Sequence, residues 1–417
     1  MAKTIDPSNP IKSRGRGPTL AKDINRKRVY QLIKQKRSAS RVELAKQLHL
    51  NKNTVNVIIE EMLAADFVKE FGPQTTHTPG RKPILLGFNA NVKLAIGAQV
   101  TSTMIHWAIT DLYATPLSSF SVPLEASDPD YVIDTILRGI DQISKQYPLS
   151  NCTGICVGVP GLMEEGIGRV IRSSHLGWRD VALQSRLQDL LQDRLQGESQ
   201  GRASIRLQAD NSVKLASLGE MWHGSGQGLD SFVYCYFGNG VGCSIIIGGA
   251  IVRGQRNAAG ELGHIVVDPE GPICGCGNTG CLEACVSLPS ILQRLARTVS
   301  APPRDLSMDW IMAELAAGDE TIHIEMKQVG QSIGAALSYV ANLLNPGVII
   351  CDGPLMQASD YIFPHIQDVL EQRCVSITVD QLLLVRSELF PYAGCIGAAA
   401  SVIHAWEEEL ITFDSTT

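Results

Sequence analysis

A small, basic, mainly helical head in front of a larger body of alternating strands and helices is the fold class this sequence predicts. Three observations predict it. The charge is split along the chain: residues 1–82 carry 17 lysines and arginines against 7 aspartates and glutamates, a net of +10, and the remainder carries 19 against 35, a net of −16. Within the first part, apolar residues recur at helical spacing and are followed by two short apolar runs around a polar loop. From residue 89 onward, strand-like and helix-like stretches alternate, which argues for an α/β body. A length of 417 residues suits two or three domains. With 44% hydrophobic and 19% charged residues, the composition excludes a disordered, collagen-like or small disulfide-rich chain.

The head is justified helix by helix. Residues 1–20, with Lys12, Arg14, Arg16 and Pro18, have no periodicity and read as a flexible basic arm. Val29, Leu32 and Ile33 share one helical face, with Arg26, Lys27, Lys34 and Lys36 elsewhere on it. Ser40 followed by Glu43 is a capping-box pattern that starts a second helix, with Leu44, Ala45 and Leu48 inward. After a short turn, Asn51 is a suitable N-cap for a third helix, in which Val55, Ile58, Ile59 and Met62 face inward. Its outward N-terminal residues are Lys52, Asn53, Thr54 and Asn56, whose side chains have the donors and acceptors to meet base edges. The runs 67–71 and 84–88 read as a β-hairpin wing, and Arg81 and Lys82 in its loop form a cationic element suited to a minor groove. Residues 21–88 are thus expected to form a winged helix-turn-helix that binds DNA; a three-helix interaction module is the alternative.

The body is expected in two halves, 89–208 with 396–417 packing back on it, and 209–395. Residues 95–100 and 105–112 form a hairpin; 154–159 is a buried strand ending in Pro160-Gly161. Residues 232–237 and 243–247 flank the turn Gly238-Asn239-Gly240-Val241-Gly242, and 394–402 reads as a small-residue helix packed closely on a sheet. The opening Met1-Ala2-Lys3-Thr4-Ile5-Asp6 has no apolar export segment, and no run approaches the ~18 apolar residues of a membrane span. Eleven cysteines, an odd number, fit a reducing compartment. A cytoplasmic protein is expected.

Several motifs carry a resemblance. Gly158-Val159-Pro160-Gly161, Leu262-Gly263-His264, Cys274-Gly275-Cys276-Gly277-Asn278-Thr279-Gly280-Cys281-Leu282-Glu283 and Asn345-Pro346 look like the ROK family of bacterial repressors and sugar kinases. The head resembles that of its repressor branch, typified by xylose, glucose-regulon and N-acetylglucosamine repressors. The runs 40–55 and 177–183 are most similar to the xylose group. The resemblance implies a duplicated actin/hexokinase-like (ribonuclease H-like) α/β body with a cleft between its halves. It also implies that Asn211, Glu261, His264 and Glu283 hold sugar hydroxyls; orienting His264 is the alternative role for Glu261. Carboxylates suit this task because they accept hydrogen bonds from vicinal hydroxyls.

The cysteine signature also has a direct chemical reading. His264, Cys274, Cys276 and Cys281 give a Cys₃His set for a structural Zn²⁺, with no open position for catalysis. Cys285 is expected in the core. Departures from the family pattern argue against a kinase. Family kinases carry an Asp-x-Gly-Gly-Thr phosphate loop, where this chain has Gln99-Val100-Thr101-Ser102-Thr103. Their catalytic Asp lies in Asn-Asp-Ala-Asn, where this chain has Asn211-Ser212-Val213-Lys214. A neutral hydroxyl at Ser212 makes a poor base near neutral pH, and only a shift of register would bring Asp210 into that role. No catalytic residue is therefore expected. The resulting expectation is a sugar-responsive repressor that binds operator DNA as a homodimer or higher homo-oligomer. A sugar kinase and a regulator controlled by a protein partner are the alternatives.

Overall fold

Residues 17–73, 83–197, 205–299, 302–304 and 306–410 are described in a computed structural model. The chain divides into two compact units: Met1–Val92 with Trp406–Thr417, and Lys93–Ala405.

In the head, α1 (Gly17–Lys36), β1 (Ser38–Ser40), α2 (Arg41–Leu48), α3 (Lys52–Ala64), β2 (Val68–Pro73) and β3 (Ile84–Phe88) follow one another. The three strands form an antiparallel sheet in the order β1-β3-β2. The capping box is present: Ser40 Oγ accepts from the Glu43 N–H (3.3 Å) and Glu43 Oε2 accepts from the Ser40 N–H (2.7 Å). That second bond holds the Glu43 pKa below its ordinary value although burial works against it. His49 ends α2 in the left-handed region at φ 54°, and Asn51 Oδ1 caps α3 through the Asn53 N–H (2.9 Å). Val55, Ile58, Ile59 and Met62 are buried as their spacing predicts. Arg81 and Lys82 lie outside the described residues.

Residues 396–417 are expected to pack back on the first half of the body, but from Trp406 the chain groups with the head. The reason is local. The Trp406 ring stacks on Phe67 (6.1 Å, 13°) and meets Tyr30 edge-on, while Glu407 accepts hydrogen bonds from Tyr30 Oη (2.7 Å) and Lys34 Nζ (2.5 Å). Three aromatic rings and a part-buried ion pair outweigh a helical propensity that would suit either unit.

The body begins with the meander β4 (Leu94–Val100), β5 (Met104–Thr110) and β6 (Pro116–Pro123), then α4 (Pro129–Ser144) and β7 (Cys152–Val159). A small sheet of β8 (Leu162–Glu164), β9 (Arg169–Ser173) and β10 (Trp178–Val181) precedes α5 (Leu183–Gly197), β11 (Leu207–Asn211) and α6 (Ser212–His223). The same scheme then recurs with β12 (Phe232–Phe237), β13 (Val241–Ile247) and β14 (Ala250–Ile251), followed by helices α7 (Leu282–Val286), α8 (Leu288–Thr298), α9 (Met308–Ala317) and α10 (Glu320–Leu344). It closes with β15 (Val348–Asp352), α11 (Ser359–Arg373), α12 (Ser376–Val379), β16 (Leu383–Arg386) and α13 (Ala393–Glu409).

The strand orders are β11-β7-β4-β5-β6 and β14-β13-β12-β15-β16. In each sheet an antiparallel meander is extended by two parallel strands beside its first strand. This repeated order is the duplicated actin/hexokinase-like body. The two closing helices of the repeats, α6 and α13, cross at glycines: a Cβ on Gly397 would stand 1.7 Å from the Leu215 carbonyl oxygen. The small-residue pattern of 394–402 therefore reflects backbone-to-backbone contact.

Candidate functional site

The repeat leaves a cavity of about 450 Å³ in the body, lined by strand ends and loops of both sheets. That volume lies in the usual range for small-molecule sites. Asn211, Glu261, His264 and Glu283, contributed by three separate stretches of the chain, all line it.

Each has a defined setting. Asn211 ends β11 and caps α6, its Oδ1 accepting from the N–H groups of Val213 and Lys214 (both 3.0 Å), while its Nδ2 donates to the Gly161 carbonyl (2.8 Å). Only one amide hydrogen remains for a ligand. Glu283 Oε2 accepts from the Val241 N–H (3.0 Å) and lies 3.6 Å from His175 Nε2. Burial opposes its ionisation, but these two partners prevail and hold its pKa below the ordinary carboxylate value. Glu261 is exposed to the cavity, with Oε2 3.7 Å from His264 Nε2. That separation is too long for a hydrogen bond, so the carboxylate has free acceptor capacity.

His264, Cys274, Cys276 and Cys281 converge as their spacing predicts, their ligand atoms all within 4.8 Å of one another. Cys276 Sγ and Cys281 Sγ are 3.7 Å apart, and so are Cys274 Sγ and His264 Nδ1. These separations are far beyond a disulfide bond but match the edge, roughly 3.8 Å, of a tetrahedron built on metal–sulfur bonds of about 2.3 Å. The cluster fits one ion. Gly275 and Cys276 also line the cavity, so the loop carrying this cluster forms part of its wall.

The phosphate-loop position is occupied differently from a nucleotide cradle. Thr101 Oγ1 accepts from the N–H groups of Thr103 (3.3 Å) and Met104 (2.9 Å), and Ser102 Oγ accepts from Asn239 Nδ2 (2.6 Å). The Thr103 and Met104 amides are thus satisfied by the loop itself, and the loop is bonded to the glycine turn 238–242. Ser212, 5% exposed, faces the cavity at the start of α6. Asp210 does not line the cavity, and its carboxylate is paired with Arg253 (2.8 Å).

Sequence reasoning missed a polar network in this wall, centred on Lys214 and Asn257, which both line the cavity. Lys214 Nζ donates to the carbonyl (2.5 Å) and Oδ1 (2.7 Å) of Asn257, and Arg253 also reaches Asn257 Oδ1 (3.1 Å) and Glu165 (3.1 Å). Burial, then the charge of Arg253, lowers the Lys214 pKa against the opposing pull of Asp210, Glu261 and Glu165. Arg256 and Asn257 both have left-handed backbones (φ 59° and 60°), which turns both oxygens of Asn257 toward the lysine. The only local signal was Asn, the residue type that tolerates that region best after Gly. His175 and Arg172, which also line the cavity, carried no motif.

On the head, Lys52, Asn53 and Asn56 are exposed and Thr54 is half-buried, all on the outer side or N-terminal turn of α3. Beneath them Glu61 accepts from Arg26 Nε (2.7 Å) and pairs with Lys22 (3.2 Å), an arrangement that holds the Glu61 pKa down, chiefly through the Arg26 bond.

A family model described as "ROK family" matches residues 95–405, and one described as "Winged helix-turn-helix DNA-binding" matches residues 22–69. Among curated relatives, the putative xylose repressor of Caldicellulosiruptor sp. (strain Rt8B.4) is 25% identical over 398 residues, covering 92% of this chain and 96% of the relative. The DNA-binding transcriptional dual regulator NagC of Escherichia coli (strain K12) is 27% identical over 394 residues, covering 93% and 94%. A solved ROK family transcriptional regulator, a homologue of the E. coli MLC protein, superposes with a TM-score of 0.78 at 27% identity, covering 94% of this chain and 98% of that one. The ROK hexokinase of Thermus thermophilus, at 22% identity and a TM-score of 0.62 over 76% of this chain and 99% of that one, shares the fold of the body.

Proposed function

The chain belongs to the ROK family, and on that premise we propose that it is a sugar-responsive, DNA-binding transcriptional repressor of a carbohydrate uptake or catabolic operon. The observation that carries this reading is the combination, in one chain, of a winged helix-turn-helix head with a family cavity that lacks a kinase's parts. Ser212 offers no carboxylate to take a sugar proton, Asp210 is bound to Arg253, and the Thr103 and Met104 amides are already bonded to the Thr101 hydroxyl. The relatives named as xylose repressors and as NagC support the same class.

In this reading the effector is a neutral sugar. Glu261 and Glu283 accept its hydroxyls, the remaining Asn211 amide hydrogen donates to it, and His264 orients the wall they share. His264, Cys274, Cys276 and Cys281 hold a Zn²⁺, because three thiolates and an imidazole in a closed set select that ion. The metal supplies no reactive position; it stiffens the loop that carries Cys276 beside the sugar. Cavity contacts come from both repeats, as the Ser102–Asn239 bond shows at its rim. A sugar that fits one arrangement of the repeats better than another shifts their balance and changes operator affinity by linkage. A homodimer reading a palindromic operator in the cytoplasm completes the proposal, since two half-sites multiply the discrimination of one short helix.

A melting series with pentoses, hexoses and amino sugars tests it, paired with an assay for ATP-dependent phosphorylation of each. A sugar present at 100 times its Kd stabilises the native state by about 2.7 kcal/mol, a rise of roughly 5 °C for a body this size. The expected result is a shift with at least one sugar and no phosphorylation of it. Turnover of ATP with that sugar would make the chain a kinase. Specific DNA binding with no shift from any sugar would favour control by a protein partner.

A further inference from the structure

We infer that Val57 is a base-reading residue of the recognition helix and that it packs against the 5-methyl group of a thymine in each half-site. The inference rests on the DNA-binding reading above and adds the base chemistry to it.

The outward face of α3 is a stripe at i, i+3, i+4 and i+7: Asn53, Asn56, Val57 and Glu60. Three of the four are polar. Val57 is 53% exposed, while the neighbouring apolar residues Val55, Ile58 and Ile59 are buried almost completely. The fold has no use for a valine there. A β-branched side chain is a poorer helix former than Ala, Glu, Lys or Gln, and an exposed one gains nothing by burial. What the position has is a place between two asparagines and a glutamate on the element that carries the head's groove-facing donors.

The surroundings favour duplex DNA as the occupant of this face. The region carrying it has a net charge of +10, and Lys52 stands at the electropositive start of α3. Glu60, at the far end of the stripe, is paired with Arg41 (2.7 Å), a cation it shares with Glu70 (3.1 Å), so the face does not end in an unpaired anion. In the major groove the thymine methyl is the apolar feature of the base edges, and asparagine pairs through two hydrogen bonds with adenine. Asn53 and Val57 are four residues apart, about 6 Å of helical rise, which spans about two base steps. The face therefore reads adenine and thymine about two base steps apart within the half-site.

The test uses the full-length chain and a duplex that the chain itself enriches from a randomised library. Each thymine of that duplex is replaced in turn by deoxyuridine, which removes the methyl and nothing else. Affinities are measured at one fixed salt concentration for the native chain and for Val57→Ala. One thymine position per half-site is expected at which deoxyuridine weakens the native chain about four-fold per methyl removed. Val57→Ala should bind the unmodified duplex comparably more weakly, be indifferent to deoxyuridine at that position, and still respond to replacement of the adenine about two steps away. If Val57→Ala binds as tightly as the native chain, or keeps the native sensitivity at every thymine, the inference is overturned. A chain that enriches no duplex overturns the DNA-binding reading itself, and this inference with it. Since the side chain is exposed, the melting temperature of the variant should match that of the native chain, which separates a lost contact from a lost fold.

Discussion

Glu220 is completely buried in α6, where its carboxyl accepts hydrogen bonds from Ser387 Oγ (2.5 Å) and the Ser225 N–H (2.8 Å). Burial pushes its pKa up to about 6, with those two bonds pulling the other way and Asp352 and Glu388 adding repulsion. Because the folded value lies above the unfolded one, this group's contribution to stability is fully present below about pH 4.5 and is lost as pH rises through about 6. Glu220→Gln stays neutral, accepts the Ser225 N–H on its amide oxygen and donates its amide N–H to Ser387 Oγ. Melts of the two proteins between pH 4.5 and 7 should show the native chain losing about 2 kcal/mol relative to the variant, mostly below pH 6. A constant difference across that range would contradict the assignment. Nothing in the sequence around Glu220 announced this. Its environment is assembled from Ser387 and Asp352, more than a hundred residues away, and distant partners leave no local pattern. The same is true of Lys214 and Asn257. By contrast, Glu43 was legible because both of its capping bonds close within three residues.

The cysteine and histidine loop is the element in which sequence and structure agree most closely. Cys274, Cys276 and Cys281 lie within eight residues, and His264 is brought to them by the short segment between Leu262 and Val267. Gly280 (φ 71°) leaves no room for a side chain, since a Cβ there would stand 1.5 Å from the Asp268 carbonyl oxygen. If this set holds zinc, binding energy is folding energy for the loop. Metal analysis should find about one zinc per chain. A strong chelator or Cys274→Ser should remove it, lower the melting temperature of the body and weaken sugar binding, because Gly275 and Cys276 form part of the cavity wall. Cys285→Ser is the control, since Cys285 packs on the core outside the ligand set and should retain the metal. Unchanged melting on chelation would contradict a structural role. The glycine turn 238–242 was less legible: its sequence suits a phosphate site, yet Asn239 is bonded to Ser102 and the Val241 N–H to Glu283. Glycine content alone cannot distinguish a tight turn from a cradle; the partners of its N–H groups do.

For the whole molecule, the charge split and the change of periodicity near residue 89 anticipated the head and body, and the repeated strand order accounts for the duplication. The grouping of Trp406 and Glu407 with the head was not legible, because α13 reads as one helix and only the distant Phe67, Tyr30 and Lys34 show where its end belongs. The four cavity residues carried over from the family resemblance do meet in one place, while the loss of the kinase's base and phosphate amides is a matter of what Ser212 and Thr101 do there. The proposed function requires that a sugar held in this cavity alters DNA binding. Its most direct test is the equilibrium affinity of the full-length chain for a duplex it has itself selected, at one salt concentration, with and without the sugar that raises its melting temperature most. A change of at least about five-fold in Kd is predicted, the lower end of ordinary coupling between two sites. The same Kd with and without a saturating sugar would contradict the claim.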